Sequence, residues 1–188
     1  IIVGGDVVSP SAVLQCYDKY PKSKIINGYG PTENTTFTCC YSIPKVRESV
    51  SIPIGKPING TSCFVADPIT LNILPHGAAG ELIAAGEGLA IGYLNDFRRT
   101  EESFVNIDLD NRNSVRGYRT GDIVRALPSG DFEYLGRQDN QVKVRGFRIE
   151  LSEVSNTFEN INGIDSSVAL YDEKSKGLRV FLTVTSET

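Results

Sequence analysis

Two β-branched runs enclosing a helical repeat commit the start of this chain to a strand, helix, strand unit. Ile1-Ile2-Val3 is short and apolar, reads as a buried strand and ends at Gly4-Gly5. Ser9-Pro10 then offers an N-cap followed by proline in the first helical turn. Across residues 10–20, Val13, Leu14, Cys16, Tyr17 and Tyr20 fall mainly on one side of a helix that Pro21 stops. Lys24-Ile25-Ile26-Asn27 reads as the next strand. Strands joined by a helical crossover lie parallel, and such sheets hold ligands beyond the carboxyl ends of their strands. The run Asn27-Gly28-Tyr29-Gly30-Pro31-Thr32-Glu33 falls there.

From Ser51 to Leu94 the character changes to short β-rich runs punctuated by Pro53, Pro57, Asn59-Gly60, Pro68, Pro75, Gly77 and Gly80. That spacing fits hairpins and a barrel-like sheet. Residues 95–117, rich in Asn, Asp and Arg, read as a short helix or loop leading to an exposed connection. Strands from Asp122 to Ala126 and from Phe132 to Leu135 flank the turn Pro128-Ser129-Gly130. A second unit begins near Asp139: Val142 and Val144 alternate with Lys143 and Arg145 as in a half-buried strand. Leu151, Val154, Phe158 and Ile161 then recur at helical spacing, with Ser152 able to cap and Asn162-Gly163 able to terminate. Ser167 to Tyr171 and Leu178 to Val184 are strand-like and joined by a charged turn, so this unit reads as β-α-β-β. The expected fold class is α/β: a βαβ parallel-sheet piece and a β-rich, distorted-barrel part over 1–138, then a small α+β unit over 139–188. With Ile1 as its first residue and no methionine, the chain reads as a fragment whose second unit is truncated at Thr188.

A formal charge of -4 leaves no electrostatic footprint for nucleic acid, and no apolar run approaches the roughly 18 residues of a membrane span. A cytoplasmic location is the default expectation. Cys16, Cys39, Cys40 and Cys63 form neither a CxxC pair nor a secreted disulfide framework, so reduced, mostly buried thiols are expected. His76, the single histidine, sits in a Leu-Pro-His-Gly turn and argues against a histidine metal site or a Ser-His relay.

The chemistry-bearing residues gather in ordered blocks. Tyr29, between two glycines at a strand end, can present a ring face to a nucleobase. Thr32 offers a hydroxyl to a phosphate oxygen and Glu33 a hard oxygen ligand to hydrated Mg2+; a Gly-Pro turn capped by an acidic residue is the plainer alternative. In Tyr118-Arg119-Thr120-Gly121-Asp122 the terminal carboxylate can accept two hydrogen bonds side by side, matching the vicinal hydroxyls of a ribose. Arg137 supplies a cation close by and Tyr134 an aromatic wall, against a surface ion pair and a core tyrosine. Glu81 and the glycines through Gly92 do not have the spacing of a phosphate cradle, and no lysine follows, so these read as turn glycines in a β-rich region. Lys143, Arg145 and Arg148 read as the solvated face of a strand.

These blocks, with Gly136-Arg137-Gln138-Asp139-Asn140-Gln141-Val142-Lys143-Val144-Arg145-Gly146 as the third, resemble the core motifs of adenylate-forming enzymes. In particular they resemble the amino-acid-activating adenylation domains of nonribosomal peptide synthetases. The resemblance implies that Asn27, Gly28, Tyr29 and Gly30 line a pocket for ATP or AMP, Tyr29 stacking on adenine and Asn27 meeting its amino edge. Thr32 and Glu33 would act at the α-phosphate and Mg2+, Asp122 would hold the ribose, and Tyr134 and Arg137 would lie nearby. Asp139 would be the hinge of a small C-terminal lid, and Gly146 would approach the phosphopantetheine of a carrier. Gly4, Gly28, Thr36 and Phe37 would wall the amino-acid side chain. The implied partners are an amino-acid substrate, a peptidyl carrier protein and neighbouring synthetase domains making a secondary metabolite.

The family's phosphate loop, lid lysine and amino-group aspartate have no counterpart in this sequence, and the 188 residues alone are expected to be inactive. Ile91 and Ser152 stand where arginine and glycine are frequent. An acyl-CoA synthetase or luciferase-like relative is the nearest alternative; Asp139, where that group has lysine, and the seven-residue Asn27–Glu33 motif argue against it. A non-catalytic module that keeps an adenylate pocket is the third reading.

Overall fold

The structure is a computed structural model that describes residues 1–45, 51–110, 113–139, 141–144, 147–172 and 175–184. It divides into two compact units, Ile1–Gln138 and Asp139–Thr188.

In the first unit, β1 (Ile2–Gly4), α1 (Pro10–Lys19) and β2 (Ile25–Tyr29) form the expected βαβ element, with β1 and β2 parallel. The Ser9 side chain accepts from the Ala12 amide at the start of α1. Val13 and Tyr17, one turn apart, are the buried residues of α1 and pack with Ile25, Ile43 and Ile52. The Tyr17 hydroxyl donates to the Ile43 carbonyl at 2.6 Å, so its polar tip is satisfied inside that cluster. Beyond β2 the sheet continues antiparallel through β3 (Cys39–Ile43) and β4 (Lys56–Pro57), so among the described residues the parallel expectation holds for one strand pair only. Ile1 and Ile2 are more than half exposed because β1 lies at the edge of this sheet, not in its interior.

A second sheet is antiparallel throughout. Its strands are β5 (Thr61–Ala66), β6 (Ala79–Gly86), β7 (Phe104–Asp110), β8 (Asn113–Ala126) and β9 (Phe132–Arg137). The long β8 pairs with β6, while β7 takes the first half of β8 and β9 the second. The stretch 95–117, expected as helix or loop, is a helix α2 (Phe97–Ser103) followed by most of the β7–β8 hairpin. Val105, Ile107 and Leu109 alternate there with Asn106 and Asp108; period two outweighs the charge density. Cys39, Ile54, Val65, Leu82, Val124 and Phe132 form a cluster drawn from both sheets, and the sheets meet where Ile54 and Gly55 hydrogen-bond Phe132. Cys39 and Cys63 face each other with their sulfurs 3.7 Å apart, and all four cysteines are free thiols. His76 is exposed in a turn.

The second unit contains β10 (Gln141–Val144), β11 (Phe147–Glu150), α3 (Leu151–Glu159), β12 (Ile164–Asp172) and β13 (Gly177–Val184). It has one strand more than the sequence pattern suggests, because β10 and β11 form a hairpin of their own. Glu150, not Ser152, is the N-cap residue of α3, and Ile161 lies past its end, 51% exposed. Arg145 and Gly146, and the side chains of Lys143 and Arg148, lie outside the described residues. Among the described residues no helix is long and apolar enough to cross a membrane.

Candidate functional site

The two sheets of the first unit bring Tyr29, Asp122 and Arg137 together from β2, β8 and β9. The β8–β9 register sets Asp122 opposite Arg137, whose Nη1 donates to Asp122 Oδ1 at 2.8 Å and to the Thr120 carbonyl at 3.1 Å. The Tyr29 hydroxyl donates to the other carboxylate oxygen, Asp122 Oδ2. The paired side chains of Arg137 and Asp122 are only 13% and 11% exposed, so this is a largely buried ion pair, not a surface one. Burying a carboxylate demands such partners, and two donors on different oxygens fix the plane of the group. The Tyr29 and Tyr134 rings both pack against the Cys39–Leu82–Val124 cluster.

Burial first, and then the negative charge of Asp122, push the Tyr29 phenol well above its usual range. The neutral phenol is therefore favoured in the folded protein. This contribution to stability is complete below the ordinary tyrosine value of about 10 and is lost as pH rises through the higher folded value. Tyr29→Phe should therefore lessen the fall in urea midpoint between about pH 9 and about pH 11. An unchanged alkaline slope in that variant would contradict the assignment.

Downstream of Tyr29 the backbone folds back on itself. A Cβ at Gly30 would lie 2.5 Å from the Thr38 nitrogen and 2.7 Å from the Thr36 oxygen, so only glycine fits. Thr32–Asn34 make a single 3-10 turn, and Thr35 and Thr36 follow in the left-handed region at φ 47° and 66°. Two successive threonines there are strained. They are held by Thr35 Oγ1 donating to the Gly88 carbonyl at 2.6 Å and by the Thr38 amide donating to the Tyr29 carbonyl at 2.7 Å. Thr32 is exposed. Glu33 Oε1 accepts from the Tyr93 hydroxyl at 2.7 Å, and that hydroxyl lies 3.2 Å from the hydroxyl of Tyr118. The Arg99 guanidinium covers the Tyr93 ring at 4.3 Å, and Phe104 meets that ring edge-on at 5.8 Å. The Ala90 amide donates to the Glu33 carbonyl at 2.9 Å. The glycine-rich segment that reads as turns in the sequence is thus also the strip on which the Thr32–Thr36 turn rests.

Gly4 and Gly28 are register partners, and a Cβ on Gly4 would fall 2.1 Å from the Gly28 oxygen. A Cβ on Gly28 would meet the Phe37 ring at 2.5 Å. Gly4 thus closely approaches the Gly28 backbone, and Gly28 closely approaches the Phe37 ring, while Thr36 is exposed. Asn27 is buried, and its Nδ2 donates to the Pro53 carbonyl at 2.9 Å, which fixes the side-chain amide in place. Asp139 belongs to the second unit, where its Oδ1 accepts from the Gln141 amide at 3.1 Å. Among the described residues no three His, Cys, Asp or Glu side chains cluster as an all-protein metal site would require. Sequence reasoning missed Tyr93 and Tyr118. Their link to Glu33 joins three strands or turns far apart in the chain, and no local pattern announces it.

A model of the AMP-binding enzyme family matches residues 1–94. A linear gramicidin synthase polypeptide of Brevibacillus parabrevis is 46% identical over 191 residues, covering 100% of this chain and 2% of the relative. Gramicidin S synthase 2 of Brevibacillus brevis is 42% identical over 177 residues, covering 94% of this chain and 4% of the relative. Among solved structures, a holo NRPS protein containing adenylation and PCP domains, bound to a vinylsulfonamide inhibitor, superposes with a TM-score of 0.84 at 39% identity. That match covers 95% of this chain and 31% of the other. This chain therefore spans only a small part of the length of the proteins it matches. Matched by the family over half its length, and similar to segments of these synthases over nearly all of it, the chain belongs to the AMP-binding enzymes.

Proposed function

We propose that this chain is part of an amino-acid-activating adenylation domain of a nonribosomal peptide synthetase. Such a domain makes an aminoacyl adenylate and pyrophosphate from ATP and an amino acid, then loads the aminoacyl group as a thioester on a carrier protein's phosphopantetheine. The observation that carries this reading is the buried carboxylate of Asp122, clamped by Tyr29 and Arg137 beside the Gly30 turn. A carboxylate oriented in this way suits the vicinal hydroxyls of a ribose, with about four acceptor sites to share among its partners.

In this reading the base lies against Tyr29, with Asn27, Gly28 and Gly30 lining its pocket and Tyr134 close by. The Thr32 hydroxyl donates to an α-phosphate oxygen, orienting phosphorus for in-line attack by the substrate carboxylate. Glu33, held by Tyr93, is the carboxylate through which Mg2+ would be held. A single protein carboxylate completed by phosphate oxygens and water is how that ion is commonly bound. When bound, Mg2+ supplies positive charge against the developing charge on the phosphates. Arg137 acts through Asp122, whose charge and orientation it maintains. Gly4, Gly28, Thr36 and Phe37 wall the amino-acid side chain, and Asp139, where the second unit begins, is the pivot of the lid. The domain works in the cytoplasm with its carrier and neighbouring synthetase domains on a peptide secondary metabolite.

The test is amino-acid-dependent ATP–pyrophosphate exchange by the full-length polypeptide that holds this segment, across a panel of amino and aryl acids. Exchange with one amino acid, followed by its transfer to a carrier protein, is the expected result. Thioester formed only on coenzyme A would move the assignment to an acyl-CoA synthetase. Silence from a folded protein would favour a binding module.

A further inference from the structure

Glu81 is a carboxylate only 2% exposed in the middle of β6, far from any role given to it above. A charge at such a position is costly unless several donors answer it. Three do. Arg119 Nε and Nη2 reach Oε2 at 3.0 and 2.7 Å, and the Gly121 amide reaches Oε1 at 3.0 Å.

The position of these donors gives the group its meaning. Along the β6–β8 ladder Glu81 pairs with Ile123, while Ile83 pairs with Arg119. Two steps on β6 therefore answer four on β8, and Thr120, Gly121 and Asp122 bulge out of register. A bulge leaves amides without a strand partner, and Gly121 adopts φ 71°, which favours glycine. Glu81 supplies the missing acceptor. The Thr120 hydroxyl donates to the Leu82 carbonyl at 2.8 Å and accepts from the Asp122 amide at 3.1 Å, closing the same turn. The Gln138 amide donates to the Gly121 carbonyl at 2.8 Å from the other side.

We infer that Glu81 is a positioning residue for the ribose site: with Arg119 it holds the β8 bulge that aims the Asp122 carboxylate at Tyr29 and the sugar hydroxyls. This rests on the assignment of Asp122 as the ribose-binding residue. Glu81→Gln keeps the volume but sets an NH2 group against either Arg119 or the Gly121 amide. The bulge then shifts, and selectivity for the ribose hydroxyls falls before anything else does.

The measurement is the ratio of kcat/KM for ATP to that for 2′,3′-dideoxy-ATP in pyrophosphate exchange by the full-length protein, alongside the KM for the amino acid. In Glu81→Gln the ratio should fall at least about tenfold, as for loss of one well-made hydrogen bond to a charged group, with the amino-acid KM unchanged. General destabilisation would lower the active fraction without altering the ratio. Arg119→Lys retains a cation and the Gly121 contact, tolerates folding better, and should reduce the ratio in the same direction by a smaller factor; it decides the matter if Glu81→Gln does not fold. An unchanged ratio in the folded variants, with Asp122→Asn losing it, overturns the role of Glu81. An unchanged ratio in Asp122→Asn as well overturns the ribose assignment beneath it.

Discussion

Asp122→Asn should lower amino-acid-dependent pyrophosphate exchange by about 10²-fold or more, chiefly by raising the KM for ATP. Two hydrogen bonds from ribose hydroxyls to a charged acceptor are worth about 1.5–3 kcal/mol each, and every 1.4 kcal/mol or so is tenfold. The asparagine keeps the volume and an oxygen for the Tyr29 hydroxyl. Its NH2, however, faces either Arg137, now a cation without its counter-charge, or a ligand hydroxyl. Removing one member of a buried pair costs about 3–5 kcal/mol of stability at worst, so exchange is compared at a temperature where circular dichroism shows both proteins folded. Asp122→Ala, lacking any acceptor, should abolish exchange. Undiminished exchange by a folded Asp122→Asn would remove this residue from the site and leave the Tyr29–Arg137 clamp as a packing feature.

The sequence carried the parts of this site that are local and concealed those that are not. Tyr29, Thr32 and Glu33 could be placed because a β-branched run, a glycine pair and a proline fix a strand end within a few residues. Asp122 and Arg137 could be named only through their motif blocks; that they form a buried pair depends on the β8–β9 register, which no spacing in the chain encodes. Glu81 and Tyr93 show the limit more sharply. Each sits in a stretch whose glycines read as turns, and each reaches its partner 40 or 60 residues away.

Fold elements followed the same rule. The helix Pro10–Lys19 is legible because Ser9, Pro10 and Pro21 mark its ends and its apolar face has helical period. The β7–β8 hairpin was hidden by acidic residues on its exposed face, although Val105, Ile107 and Leu109 held a clean alternation. At α3, Ser152 has the right chemistry for a cap but sits two residues too late, because the preceding strand β11 delivers the chain directly to Glu150.

Gly55→Ala should cost about 3–5 kcal/mol or prevent folding, one of the largest effects available from one methyl group here. Gly55 has φ 92°, and a Cβ on it would sit 2.1 Å from the Cys40 oxygen and 2.6 Å from the Tyr41 nitrogen. Those atoms are backbone of β3 and cannot rotate away. The same residue exchanges hydrogen bonds with Phe132 on β9, its amide donating at 3.4 Å and its carbonyl accepting at 2.8 Å. Gly55 is thus pinned between β3 of one sheet and β9 of the other. The matched control is Gly77→Ala, with φ 87° but nothing within 4 Å of the added carbon, so it carries the backbone strain of about 1 kcal/mol without the collision. Urea unfolding of both variants separates the two terms; equal losses would mean that the sheets can part locally at little cost. The larger loss at Gly55 would carry a functional consequence. Tyr29 pairs with Cys39 on β2 and β3, while Asp122 pairs with Arg137 on β8 and β9. The hydrogen bond between Tyr29 and Asp122 joins the same two sheets that Gly55 helps to pin, so loosening that seam should weaken it as well.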